Sequence, residues 1–501
     1  MLCAGAAVLD ITPPLGVPLA GSFNARFAAD VDDPLFARAV VLEDERGPDG
    51  RMAVVACDLI CMPGETVRAA RELIARAGHV PAERIMIAAT HTHTAPSPAG
   101  LLGTPRADAY MDALPGRLAT AVGMAAQRLR PARAAWGSGH ESGVIFNRRF
   151  RLRDGTVRMN PGRLNPEIVG PVGPIDPQLG VLWLEDEAGA PLALISNFTL
   201  HYIGTDHGDH VSADYFGAYA GWMQRIYGPQ LVPLLLNGAQ GDINGVDVHD
   251  PDQGSGARLA RRVAGIVAGE TLRVVERRRP VAEVPLGAAS ARFSVPRKGI
   301  TPDDLEFAAR LLALPETVPA AELRQRAGLG PSGPFSWVVG QPLPDNALRL
   351  YARECQYLAA LPEQLQTEVQ ALRIGGCAMV SLPGEPFVEL GLTIKARSPF
   401  APQGKATPSP ASPASPASPA SPASPPAQGG PAAPGSAGQG QGVTFVVGLA
   451  NDYVGYIGTR RAIAEEGSYE TWAARSSLPA AGAGETMVDV AASLLERLAS
   501  A

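Results

Sequence analysis

Two histidines separated by one residue, in Thr90-His91-Thr92-His93-Thr94, follow the apolar run Ile85-Met86-Ile87-Ala88-Ala89. That run reads as a buried strand that stops where polar residues begin. On an extended backbone, side chains two residues apart point the same way, so both imidazoles are expected to face one site. Such a pair can act as a metal ligand beside a proton carrier, as two ligands, or as a hydrogen-bonded pair without chemistry. His201 also follows an apolar run, and Glu385 sits in a Pro-Gly-Glu-Pro turn after another. A catalytic zinc site takes three protein ligands and leaves a position open for water. Mixed imidazole and carboxylate donors suit Zn²⁺ better than Mg²⁺ or Ca²⁺, which favour oxygen. His91, His201 and Glu385 are therefore a candidate His₂Glu set.

Other residues carry weaker signals. Asp206-His207-Gly208-Asp209-His210, with Asp214, is dense in ligand types and reads either as a metal site or as a solvated loop. His79, His140 and His249 read as loop residues. There is no His-Glu-x-x-His, no phosphate-binding P-loop and no Gly-x-Ser-x-Gly, so zincin, NTPase and serine-hydrolase chemistry lack their motifs. Asp303 and Asp304 fit a helix N-terminus, with Thr301 as cap and Pro302 as first helical residue.

The elements that must position these residues follow from the apolar pattern. Met52 to Ile60 reads as a strand, Val67 to Ala77 as a helix, and the strand before His91 completes a strand-helix-strand unit. Gly180 to Leu184 and Ala193 to Asn197 read as a hairpin whose second arm leads to His201. Leu231 to Leu236, Val369 to Ser381 and Val443 to Leu449 end in Asn237 to Asp242, Pro383 to Glu385 and Asn451 to Tyr456. Strand-helix-strand units place this chain in the α/β class, with a mixed, largely parallel central sheet flanked by helices. In such sheets ligands gather outside the carboxyl ends of strands, so these polar termini are expected to converge.

Composition sets the remaining limits. The 501 residues are 46% hydrophobic and 18% charged, with a net charge of -6, which supports a large globular core and gives no electrostatic case for nucleic acid. No stretch approaches the roughly 20 apolar residues of a membrane helix. The five cysteines are scattered and odd in number, which favours free thiols in a reducing compartment. Met1 to Gly5 shows neither a basic nor an apolar leader region, so a cytoplasmic location is expected. Residues 296–370 read as a helical subdomain, and 401–442, rich in Ala-Ser-Pro triplets, as a disordered insertion within a single domain spanning 1–501.

Taken in order along the chain, these motifs resemble those of the neutral/alkaline, non-lysosomal ceramidase family, in its N-terminal catalytic domain and without its C-terminal β-sandwich domain. The resemblance runs through Asp10-Ile11-Thr12-Pro13-Pro14, Thr90 to Thr94, Asn147-Arg148, Asn197 to His201 and Gly241-Asp242. It continues through Pro383-Gly384-Glu385-Pro386, Asn451 to Tyr456 and Tyr469-Glu470. It implies a zinc-dependent amidase that cleaves the N-acyl bond of a ceramide-like lipid, with one Zn²⁺ per chain. His91, His201, Glu385 and Tyr456 are then the implied metal ligands, and His93 an acid-base residue beside them. Arg148 is implied to hold the reacting group, and Tyr469 matches a second active-site tyrosine. Asn244 stands where the family places a serine.

The chemistry that fits these assignments is hydrolysis by metal-activated water. His93 takes the proton and delivers it to the leaving amine, while Arg148 and Asn244 stabilise the oxyanion. Two other readings are a zinc amidohydrolase or esterase acting on a smaller acylated amine or sugar, and a binding protein that retains the metal without catalysis.

Overall fold

Every parallel strand pair in the main sheets is joined by a helix, and that one rule organises the chain. The computed structural model describes residues 1–204, 208–328, 335–401 and 442–501. One sheet has eight strands, in spatial order Val232–Asn237, Pro191–Phe198, Gln178–Asp186, Arg130–His140, Cys3–Asp10, Phe36–Glu43, Met52–Cys57 and Ile85–Ala89. Only the outermost pair at each edge is parallel, and each is bridged by a helix, Asp214–Tyr227 at one edge and Gly64–Arg76 at the other. The five inner pairs are antiparallel.

The mixed α/β class is as expected from the sequence. The weight given to parallel pairing is corrected, because Cys3–Asp10, Phe36–Glu43 and Met52–Cys57 follow one another without a crossover helix and so return antiparallel.

A second sheet holds Leu286–Pro296, Gln364–Ile374, Cys377–Ser381 and Val443–Val447. Its single parallel pair, Cys377–Ser381 with Val443–Val447, is again bridged by a helix, Val388–Arg397. The two sheets share one buried interior, where Val54, Met86, Leu182 and Leu234 meet Leu372, Met379 and Phe445. Successive strand residues face opposite ways, so Val55 joins Val67, Ala70, Ile74 and Leu118 on the helical side. Helices Asp214–Tyr227 and Gly256–Val275 cover the other half of that face. Val388–Arg397 and Ala483–Ser500 cover the outer face of the second sheet. Strands buried on both faces read as unbroken apolar runs, which is why alternation was absent from most of them.

Helices occupy only part of 296–370, whose two ends lie in strands. Helices Pro302–Ala313, Ala320–Arg326 and Leu348–Ala359 leave and rejoin one antiparallel pair, in which Pro296 lies opposite Gln364. Along Gln364 to Gln370, Leu365, Thr367 and Val369 fall on one face and the Gln and Glu residues on the other, the period of a strand. Thr301 caps its helix as expected, its hydroxyl accepting from the Asp304 N–H in a capping box. Most of the Ala-Ser-Pro insertion, 402–441, lies outside the described residues, as do Asp206 and His207. No described helix is long and apolar enough to cross a membrane.

Candidate functional site

The strand Ile85–Ala89 delivers His91 into a buried position with φ of +81°, and its N–H donates to the Leu59 carbonyl at 2.8 Å. The backbone is thus left-handed at His91, contrary to the extended backbone expected from the two-residue spacing. A left-handed, non-glycine residue of this kind marks a backbone held by its surroundings. The rings still meet, with the Nε2 atoms of His91 and His93 3.1 Å apart. His201, just past the strand Pro191–Phe198, brings its own Nε2 to 3.1 Å from that of His91.

Glu385 and Tyr456 come from two short parallel strands, Glu385–Pro386 and Tyr456–Ile457, in which they lie directly opposite each other. Gly455, at φ of +79°, makes this approach possible, because a Cβ there would fall 2.1 Å from the Ser476 carbonyl carbon. Asp452 accepts from the Gly64 N–H at 2.9 Å and so ties this loop to a helix N-terminus. Tyr453 donates its hydroxyl to Glu385 Oε1 at 3.0 Å. Arg148 follows Asn147 into the site; its N–H donates to the Asp242 carbonyl at 2.8 Å and its Nε to Glu470 Oε1 at 2.8 Å.

The hydrogen-bond roles at the centre follow from the outer ring nitrogens. Nδ1 of His91 faces the Ile60 carbonyl at 2.5 Å, that of His201 the Gln240 carbonyl at 3.3 Å, and that of His93 the Gly21 carbonyl at 3.3 Å. A carbonyl only accepts, so each Nδ1 carries a hydrogen, and with the ring neutral each Nε2 presents a lone pair. Glu385 Oε2 lies 3.3 Å from His91 Nε2 and 3.8 Å from His201 Nε2, buried and with no hydrogen-bond donor. With the rings neutral, four acceptors converge, and Arg148 Nη1, 3.5 Å from His201 Nε2, reaches one of them. A cation resolves that conflict, and imidazole nitrogens locked by backbone carbonyls with one carboxylate form a donor set suited to zinc. His91, His93 and His201 together form a group able to hold a metal ion.

Burial, reinforced by the neighbouring His91, pushes His201 and His93 well below the ordinary imidazole range, so both are neutral. Burial alone would raise the Glu385 carboxyl, but positive charge beside it, on His91 when that ring is protonated and on Arg148, outweighs burial and holds the group below its usual value. Burial drives the Tyr456 hydroxyl well above the normal phenol range, with Arg148 acting against it.

All eight sequence-predicted residues line one cavity of about 260 Å³: His91, His93, Arg148, His201, Asn244, Glu385, Tyr456 and Tyr469. Phe23, Leu101, Leu102, Met159 and Ile203 supply apolar wall. The buried Arg148 Nη2 has no partner, which leaves a charged donor free for a ligand. Asn244 is differently placed from the expected oxyanion donor. Its Nδ2 donates to Asn160 Oδ1 at 3.0 Å and its Oδ1 accepts from the Val246 N–H at 3.0 Å. Tyr469 lies edge-on to Tyr456 with ring centroids 5.8 Å apart.

Two solved structures share this architecture over 99% of the chain and 75% of their own length. One is the crystal structure of neutral ceramidase from Pseudomonas aeruginosa, with a TM-score of 0.65 at 21% identity. The other is a ceramidase complexed with C2, with a TM-score of 0.64 at 20% identity. The chain has the neutral ceramidase fold. No protein-family model matches it, and a search of curated proteins finds no match.

On this ceramidase fold several neighbours of the site escaped sequence reasoning. Tyr202 stacks on His93, with centroids 3.5 Å apart and planes at 17°. Its one signal was its place beside His201. Tyr453, orienting Glu385, lay inside the motif that contains Tyr456. Gly21, whose carbonyl holds His93, carried no signal; at φ of +93° a Cβ there would fall 2.4 Å from the His93 Cβ.

Proposed function

We propose that this protein is a zinc-dependent hydrolase that cleaves the N-acyl amide bond of a ceramide-like lipid. The observation that carries the reading is the acceptor-only cluster of His91, His93, His201 and Glu385 at the wall of the cavity. Support also comes from the shared fold with ceramidase structures. His91, His201, Glu385 and Tyr456 would hold the ion. When bound, it supplies an acidified water and polarises the scissile carbonyl.

The chain's own residues do the rest. His93, neutral and lining the cavity, takes a proton at Nε2 and returns it to the leaving amine nitrogen. Arg148 offers its unpaired Nη2 to the developing oxyanion, a donor contribution of about 2–4 kcal/mol. Asn244, with both amide groups already engaged, is the weaker donor. Tyr202 and the Gly21 carbonyl keep the His93 ring from turning. Tyr469 walls the cavity beside Tyr456.

A cavity of about 260 Å³ favours a second reading for substrate size. Ligand pockets run to roughly 300–1,000 Å³, so a two-chain lipid cannot be enclosed whole. Either most of its chains lie outside the mouth, or the substrate is a smaller acylated amine. An acyl-length series of fluorogenic N-acyl and O-acyl substrates, with and without chelator, separates these outcomes. Chelator-sensitive turnover of long-chain ceramide analogues supports the first reading, and turnover of short acyl groups only supports the second. Silence with metal bound contradicts both and leaves a binding protein.

A further inference from the structure

Lys298 is 5% exposed, stands just past the strand Leu286–Pro296, and has no carboxylate partner among the described residues. Its backbone N–H donates to the Leu478 carbonyl at 2.8 Å. Its Nζ donates to the Ser477 carbonyl at 2.7 Å and the Ser477 hydroxyl at 2.5 Å. That hydroxyl in turn donates to the Glu470 carbonyl at 2.7 Å. The Ser477 hydroxyl, itself held by Lys298, therefore ties together both ends of the turn 470–477. Within and beside that turn are Tyr469, which walls the cavity, and Glu470, which receives Arg148. The Ser476 carbonyl accepts from the Tyr456 N–H at 2.8 Å. The middle of the turn is held from the helical excursion, where Arg475 pairs with the buried Glu354 at 2.6 Å and Trp472 meets Tyr351 edge-on.

We infer that Lys298 is a positioning residue of the site: through Ser477 it clamps the 469–478 segment so that Glu470 stays against Arg148 and Tyr469 against Tyr456. The inference rests on the reading of Arg148 and Tyr469 as parts of a reaction site. Burying an ammonium without a counter-charge costs stability, and burial lowers this lysine to about 7. A methionine of similar length would fill the space without that cost, but it has no N–H to give Ser477.

The test uses Lys298→Met and Ser477→Ala in the intact protein. Ser477→Ala removes the link to Glu470 but leaves the Lys298 bond to the Ser477 carbonyl. Amide hydrogen exchange over 466–478, metal content, kcat and KM are measured together. Both variants are expected to speed exchange in that segment at unchanged metal content. Where substrate is turned over, kcat falls about 10- to 100-fold with little change in KM, and more in Lys298→Met. Exchange reads the clamp whether or not any amide is cleaved, so failure of the functional reading is distinguishable. Unchanged exchange and kcat in the folded variants overturn the inference. Faster exchange spread evenly over the whole chain also overturns it, because Lys298 then merely stabilises the fold. If Lys298→Met does not fold, Ser477→Ala decides.

Discussion

The Nε2 of His91 lies 3.1 Å from the Nε2 of His201, and with both rings neutral neither nitrogen has a hydrogen to offer the other. Both rings spend their N–H on backbone carbonyls of Ile60 and Gln240. Two lone pairs held face to face in a buried site, with the Glu385 carboxylate beside them, define a place for a cation.

Tyr453 fixes the Glu385 carboxylate through Oε1, leaving Oε2 directed at the histidines. Tyr453→Phe removes that one hydrogen bond and keeps the ring. Zinc affinity is expected to fall about 10- to 100-fold, as for other partners that orient a metal ligand. Competition against a chelator of known affinity measures it, and an unchanged dissociation constant contradicts the role.

Tyr202 keeps the His93 ring in place by stacking rather than by its hydroxyl. Tyr202→Phe should therefore retain activity, while Tyr202→Leu should lose about 2- to 10-fold in kcat, the worth of an aromatic pair of about 0.5–1.5 kcal/mol. Equal activity of the two variants would remove stacking from the account.

These two tyrosines show where the sequence was legible and where it was not. His91, His201 and Glu385 could be read because each follows an apolar run whose carboxyl end points toward the site, whereas Tyr456 came only through the family resemblance. The residues that aim them belong to no pattern of period or motif. Tyr202 meets His93 from 109 positions further along the chain, and Gly21 contributes only a carbonyl. The sheet itself was misjudged in its balance, because an apolar run buried on both faces looks alike in parallel and antiparallel pairs. Whether a connection contains a helix carried the answer, and the run from Cys3 to Cys57 contains none longer than a single turn.

Arg148 and Asn244 separate cleanly by substitution. Arg148 has an unpaired, buried Nη2, and its loss in Arg148→Leu is expected to lower kcat about 10²- to 10³-fold. Asn244→Ala removes a group whose amide is already bonded to Asn160 and Val246, so its effect on kcat should be much smaller. Steady-state kinetics on the best acyl substrate compares them, and a larger loss in Asn244→Ala reverses the assignment of the oxyanion donor.

Lys298 imposes a pH dependence on stability whose sign is set by its burial. Its folded value of about 7 lies below the ordinary 10.5. Between those values the unfolded chain binds a proton that the folded chain does not, so this residue's contribution to stability grows as pH rises. It is lost as pH falls through about 7. Lys298→Met lacks the term, so the stability of the unmodified protein relative to the variant should increase from about pH 7 to about pH 10. Urea midpoints at several pH values measure it, and a constant or falling difference contradicts a buried, uncompensated ammonium.

The most direct test of the central claim is a crystal of the purified protein measured at the zinc absorption edge. A single strong anomalous peak is predicted, about 2.0–2.2 Å from His91 Nε2, His201 Nε2 and a Glu385 oxygen. Tyr456 should complete the set, with His93 in contact with the site but outside bonding distance. No anomalous peak among these residues, in protein prepared without chelator, would contradict the account.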